Sequence, residues 1–263
     1  MAQDCFEHLV GAKAIGHSAT HHCNAILSMN ELFPIVFEDE DLLVINKPAG
    51  LVCHPTKGDE YSSLVGRIRL HLGKGGSLIN RLDRETSGVV LVAKRPEVAG
   101  QLGKLWQAGG VRKTYQALVH GQPDENHGRI EATLGKDLAS EVVIKNCVCD
   151  DGAWSTTRYR VLKRFVRAEE RFSLLEVSPL TGRKHQIRIH LKHIGHPIVG
   201  DKIYGGDEMH YLDFIRGRLT VAQRGLLILK NHGLHAAELR FLWCGQQHIF
   251  SAAPSREFAD FLP

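Results

Sequence analysis

Cysteine, long apolar runs and linker-like tracts are all scarce in this sequence, and each scarcity removes a class of protein. The six cysteines, at positions 5, 23, 53, 147, 149 and 244, follow no regular framework. A chain of 263 residues can bury a core without disulfide staples, so free thiols are expected. Cys147-Val148-Cys149 and His21-His22-Cys23 contain metal-ligand residue types, but neither has a second short cluster at zinc-site spacing. No metal site is therefore expected. No stretch approaches the roughly 18 apolar residues that span a bilayer, and the first residues lack the apolar core of a secretory leader, so a cytoplasmic location is expected. Pro/Gly-rich linkers, low-complexity tracts and internal repeats are also missing, which argues for one catalytic-sized folded unit.

What the chain does have is an uneven charge distribution. Residues 1–60 carry three Lys/Arg against nine Asp/Glu, whereas the whole chain is +4, leaving the remainder at +10. Segments 81–113 and 181–204 each carry a net +4. Basic side chains gathered in two segments suit a polyanionic partner, whose backbone supplies sequence-independent affinity.

Residues 1–33 show little periodicity and read as an irregular N-terminal arm, with a single domain expected over 34–263. Within it, Ile35–Glu38 and Leu42–Asn46 read as a hairpin across an acidic turn, and Ser62–Leu72 as a helix. Pro96–Ala108 reads as a second helix, started by proline and ended by Gly109-Gly110. Val89–Ala93, Thr114–Val119, Ser155–Leu162, Phe172–Val177 and Leu234–Phe241 read as strands. Many strands with few helices, and no βαβα rhythm, predict an α+β fold built on a mixed, largely antiparallel sheet with flanking helices. Lys184–Ile194 reads as a helix with Ile187, Leu191 and Ile194 as an apolar stripe; His185, Arg188 and Lys192 share another face, free to line a cleft.

The sequence Leu78-Ile79-Asn80-Arg81-Leu82-Asp83-Arg84-Glu85-Thr86-Ser87-Gly88 runs into the apolar strand Val89–Ala93. It sets one carboxylate between two arginines, in a turn-forming connection expected at the edge of a sheet. A neighbouring guanidinium favours the ionised carboxylate, so Asp83 is expected to be charged at neutral pH and able to act as nucleophile or base. Three other segments carry clusters: Asp39–Pro55 with Asn46-Lys47-Pro48-Ala49-Gly50, Lys113–Gly121 with Tyr115, and Leu180–Leu191 with Thr181-Gly182-Arg183-Lys184-His185-Gln186-Ile187-Arg188, followed by Gly195–Gly205.

Together and in this order the four blocks resemble the RluA-type pseudouridine synthases, from about Phe33 to near the C-terminus. The resemblance implies the pseudouridine synthase fold, a long curved sheet with the catalytic cleft across its middle. It implies Asp83 as the catalytic carboxylate, Arg188 as its partner, and Tyr115 as the residue that stacks on the target base and takes part in proton removal. Arg183 is the second choice as partner and otherwise a phosphate-positioning residue. Leu234 packs the other side of the base, Arg81 fills the space that the flipped base leaves, and Arg84, His185 and Gln186 complete the expected RNA-binding set. No basic, S4-like RNA-binding domain is recognisable in residues 1–33.

The implied reaction is the isomerisation of uridine in ribosomal or transfer RNA to pseudouridine, which needs no cofactor because nothing is oxidised or transferred. A single positioned carboxylate serves as nucleophile at C1′ or as base at C2′. A non-catalytic RNA-binding factor would have lost Asp83, Tyr115 or Arg188. A glycosidase would need a second carboxylate or a metal beside Asp83. One position departs from the family pattern: Asn80 stands where most members carry His, and RNA positioning rather than catalysis is expected to feel it. Nothing in the sequence marks an oligomer or an obligate protein partner, so a monomer is expected.

Overall fold

The computed structural model describes residues 32–55 and 60–263. Residues 1–31, which contain most of the expected arm, lie outside the described residues. Leu32 and Phe33 are buried against the core.

Eleven strands among the described residues form one sheet. In chain order they are β1 (Ile35–Glu38), β2 (Leu42–Lys47), β3 (Ser77–Leu78), β4 (Ser87–Ala93), β5 (Val111–His120), β6 (His127–Lys136), β7 (Asn146–Val148), β8 (Ala153–Arg167), β9 (Glu170–Pro179), β10 (Leu234–Trp243) and β11 (Gln246–Ser251). Their order across the sheet is β1-β2-β4-β10-β5-β9-β8-β6-β7, with β3 on β4 and β11 on β10. Every pairing is antiparallel except β4 with β10. The mixed, largely antiparallel α+β architecture expected from the sequence is the one observed.

Six α-helices among the described residues flank the sheet: α1 (Leu64–Leu72), α2 (Pro96–Gln107), α3 (Gln186–His193), α4 (Met209–Ile215), α5 (Val221–Leu227) and α6 (Arg256–Ala259). Period-2 alternation divides β2 and β4 between two cores. Leu43, Ile45, Val90 and Val92 face α1 through Leu64 and Ile68, while Leu42, Val44, Val89 and Leu91 face α2 through Val98 and Leu102. All seven residues of β4 are therefore buried. The connection carrying Asp83 was expected at the edge of the sheet, but it leads into β4, an interior strand between β2 and β10, and Val89–Ala93 is a continuous apolar run because both its faces are covered.

The joint between β4 and β10 rests on Gly88. Its φ is +116°, and a Cβ there would lie 2.2 Å from the carbonyl oxygen of Ala236. Only glycine lets the two backbones approach so closely. The strand β6 was not foreseen, partly because Gly128 and Gly135 lower its strand propensity. Gly128 makes room for the Tyr159 ring on β8, which a Cβ would approach to 2.4 Å.

The register explains the placement of the site. Gly88, Ala236, Tyr115, Val177 and Tyr159 form one row across five adjacent strands. The connection before β4, the start of β10 and the middle of β5 thus converge on the same part of the sheet. After β9 the chain folds back, and α3 lays Ile187 and Leu191 on Ala117, Val119, Leu175 and Val177.

Candidate active site

The connection carrying Asp83 is pinned almost residue by residue. Asn80, 8% exposed, donates from Nδ2 to the carbonyl of Val89 (3.1 Å) and accepts at Oδ1 from the Leu91 amide (2.8 Å), so its amide imitates a strand neighbour of β4. Cys53 Sγ donates to the Leu82 carbonyl at 3.3 Å, and the Gly50 amide to the Arg84 carbonyl at 2.8 Å. Lys47, wholly buried, donates from Nζ to the carbonyls of Pro48, Leu51 and Arg84 at 2.9, 2.9 and 3.1 Å. Burial lowers its pKa to about 8. These bonds tie the Asn46–Gly50 block to the Asp83 connection and explain why the two clusters lie far apart in sequence yet act on one place.

Asp83 emerges from this support with its side chain about one-third exposed. Arg188 donates from Nη1 to Asp83 Oδ2 at 2.9 Å. The same guanidinium donates from Nε and Nη2 to Asp201 Oδ2 and Oδ1, at 2.6 and 2.8 Å. Asp201 is buried, and its Oδ1 also accepts the amides of Ile203 and Tyr204, both at 3.0 Å. Arg188 is therefore fixed bidentately on its inner side and presents one N–H outward to Asp83. Desolvation pushes the Asp83 pKa up, but the Arg188 charge and hydrogen bond outweigh it and hold the carboxyl below its ordinary value. The same guanidinium holds the Asp201 carboxyl far below the usual carboxylate range against its burial.

Two expectations about this neighbourhood need correction. The guanidinium on Asp83 is that of Arg188, not of a chain neighbour: Arg84 turns away, donating to the Gly50 carbonyl at 3.2 Å and lying 5.3 Å from the Phe214 ring centroid. Nor do His185, Arg188 and Lys192 share an open helix face. Helix α3 begins at Gln186, His185 is its N-cap in the left-handed region at φ 54°, Arg188 is buried and Lys192 is exposed.

Tyr204 lies under Arg188, its ring centroid 5.0 Å from the guanidinium carbon. The Tyr204 hydroxyl accepts the Asn146 amide at 3.2 Å and shares a 2.9 Å hydrogen bond with His185 Nδ1. The other ring nitrogen, Nε2, lies 3.9 Å from Asp83 Oδ2. Burial, followed by the charge of Arg188, lowers the His185 pKa to about 4, so the ring is neutral at pH 7. Behind the site, Glu85 accepts from Lys202 Nζ at 2.7 Å, and His232, with its pKa lowered to about 3 by burial, shares a 2.7 Å hydrogen bond with Thr86.

Asp83 opens on a cleft of about 670 Å³. Arg81, Tyr115, Arg183, His185, Gln186, Arg188 and Leu234 line it, and Arg84 does not. Burial, then the nearby Asp83 charge, push the Tyr115 phenol pKa well up. Arg183 is exposed, and its guanidinium donates to the Trp154 carbonyl, at 3.4 Å, rather than to Asp83. Gln186 spends both ends of its amide on Thr156, Thr157, Thr181 and the Arg183 amide, which shapes the loop.

Sequence reasoning assigned no role to Asp201, Tyr204 or Lys47, although all three lie in quoted blocks. Buried charge in a segment as apolar as Ile198–Tyr204 was the available signal. Asp201 is also a second carboxylate near Asp83, which the sequence had not led us to expect. It lies on the far side of Arg188 with a fully buried, neutralised side chain, so it has no access to a water in the cleft. Among the described residues no group of three or more His, Cys, Asp and Glu is arranged to hold a metal, and no helix is long and apolar enough to cross a membrane.

Residues 41–193 match a family model described as RNA pseudouridylate synthase. The chain is 42% identical over 189 residues to an uncharacterised RNA pseudouridine synthase of Chloroflexus aurantiacus, covering 69% of this chain and 57% of that one. It is 37% identical over 218 residues to ribosomal large subunit pseudouridine synthase C of Salmonella typhimurium, covering 82% and 64%. The chain thus spans somewhat less than two thirds of the length of these relatives. Among solved structures it is similar to human RNA pseudouridylate synthase domain containing 1, with a TM-score of 0.68 at 26% identity, covering 84% of this chain and 83% of that one.

Proposed function

Because the chain belongs to the RluA-type RNA pseudouridylate synthase family, we propose that it isomerises uridine to pseudouridine within structured RNA, with Asp83 as the catalytic carboxylate. The observation that carries the reading is a single accessible carboxylate, held by an arginine whose other side is anchored on a buried aspartate. Such a carboxylate stays ionised and fixed in position without competing for a second proton.

In the reaction the C1′–N1 bond breaks, the uracil turns, a C1′–C5 bond forms, C5 loses its proton and N1 gains one. Asp83 acts at the sugar, as nucleophile at C1′ or base at C2′. Tyr115 enters as a neutral phenol, since its pKa is raised; its ring packs on the base opposite Leu234, and the C5 proton passes to a basic oxygen, that of ionised Asp83 or of a water that relays it to solvent. The neutral His185 ring, with Nε2 3.9 Å from the carboxylate, is placed to hydrogen-bond a uracil or ribose group. Flipping the target base out of a helix costs a few kcal/mol, least in a loop, and Arg81 and Arg183 at the cleft mouth offset part of this through backbone phosphates. The names of the relatives favour large-subunit ribosomal RNA as substrate, with transfer RNA the second candidate.

The test is carbodiimide–primer-extension mapping of ribosomal and transfer RNA after incubation with the wild type and with Asp83→Ala. Stops are expected with the wild type alone. Absence of any stop while both proteins bind RNA equally would replace the synthase reading with that of a non-catalytic RNA-binding factor.

A further inference from the structure

Strands β5 and β9 part company below the catalytic row. They pair from Tyr115 to His120 and no further, although β5 continues on β10 down to Val111 and β9 continues on β8 up to Pro179. The divergence opens a groove of about 1280 Å³, which shares Trp106, Lys113 and Arg183 with the wall of the cleft.

The charge of this groove is unbalanced. Arg160 is held by Glu176 and Arg240 by Glu238, whereas Arg112, Lys113, Arg158 and Arg183 make no ion pair among the described residues. Arg112 stands directly opposite Arg240 in the β5–β10 register. Like charges in that position destabilise a sheet, and Glu238 offsets only the Arg240 side of the pair. At the junction with the cleft, Trp106 is half-buried with Lys113 Nζ 5.8 Å from its ring centroid. Unpaired arginines beside an aromatic platform are the combination that holds a single nucleic-acid strand, phosphates on the cations and a base on the ring. Asp83, Tyr115 and Arg188 do not line this groove, while Arg183 lines both it and the cleft.

We propose that the β5–β9 groove binds the single-stranded RNA segment flanking the target uridine, with Arg112 and Arg158 on its phosphates and Trp106 under the base next to the catalytic cleft. This rests on the reading of the cleft as an RNA site. It makes the flank, and not only the flipped nucleotide, a determinant of which RNA is modified.

The test compares wild type with the Arg112→Gln/Arg158→Gln pair, both exposed positions, on a pseudouridine-accepting RNA and on the same RNA trimmed of its flanks. Each lost single-strand phosphate contact lowers the slope of log affinity against log salt by about 0.7, so the pair lowers it by about 1.4 and weakens binding about 25-fold at 0.1 M salt relative to 1 M. The trimmed RNA is expected to bind both proteins equally, and kcat on the full RNA to stay unchanged while KM rises. Quenching of tryptophan fluorescence by the full RNA is expected to shrink in Trp106→Phe. Equal affinity and salt slope for wild type and the pair on the full RNA would overturn the groove assignment even while the wild type makes pseudouridine. A wild type that binds through the groove but makes no pseudouridine would overturn the catalytic reading alone. Loss of poly-glutamate binding with RNA binding intact would assign the groove to an acidic protein partner instead.

Discussion

Asp83→Asn and Asp201→Asn make the same chemical change on two sides of one guanidinium, and the structure gives them different consequences. Asp201 is fully buried and takes two hydrogen bonds from Arg188. Its neutralisation leaves a buried arginine without its main counter-charge, a class of change that costs about 3–5 kcal/mol. For a chain of this size each kcal/mol lowers Tm by about 2–4 °C, so Asp201→Asn should melt about 6–20 °C below wild type. Asp83 is about one-third exposed and takes one bond. Arg188 keeps its anchor when Asp83 is neutralised, so the loss is of the surface-pair order, at most about 1 kcal/mol, or a few °C. Activity separates the pair in the opposite sense: Asp83→Asn removes the ionised group and should abolish detectable conversion, whereas Asp201→Asn, assayed well below its melting point, should retain a reduced rate. Circular-dichroism melts and single-turnover pseudouridine formation measure both quantities on the same preparations. A Tm within 2 °C of wild type for Asp201→Asn, or equal destabilisation by both, would refute the division into anchor and working carboxylate.

Stability should also fall on mild acidification. His185 and His190 have pKa values lowered to about 4 and His232 to about 3, so the unfolded chain takes up these protons first, beginning near 6.5. The stabilisation is complete above about pH 6.5 and is lost as the pH falls toward 4, at up to about 1.4 kcal/mol per pH unit for each histidine; a pH-independent Tm between 7 and 5 would contradict this. The lowered pKa of Asp83 predicts single-turnover rates that stay level as pH falls through the ordinary carboxylate range, with any acid limb lying below it, and a rate already halved at pH 5.5 would contradict it. Gly88→Ala should prevent the β4–β10 joint from forming, read as loss of soluble folded protein or a Tm drop of more than about 10 °C, because a Cβ has no room beside Ala236. Lys47→Met should lower stability by about 2–4 kcal/mol in urea unfolding, since three buried carbonyls lose their donor; an unchanged midpoint would show that waters replace the ammonium.

Much of this molecule was legible in its sequence where the information is local. The run Val89–Ala93, the proline-started helix α2, the Leu42–Asn46 strand and the Ile187/Leu191 stripe are written in spacings of two to four residues, and all formed. The four blocks, through their resemblance to a known family, also pointed to Asp83, Tyr115 and Arg188, three residues that line one cleft in the structure. Apart from the Arg188 partnership, which came only through that resemblance, the local pattern could not decide which charge meets which. Arg188 reaches Asp83 across 105 residues, while Arg84, one residue from Asp83, faces Phe214. Side chains next to each other on an extended chain point in different directions, so proximity in sequence is a poor guide to an ion pair. The role of Asp201, the neutrality of His185, the carbonyl cage around Lys47 and the divergence of β5 from β9 all arise only when distant segments close on one another. Each depends on burial, and burial is a property of the assembled sheet and helices rather than of any segment alone.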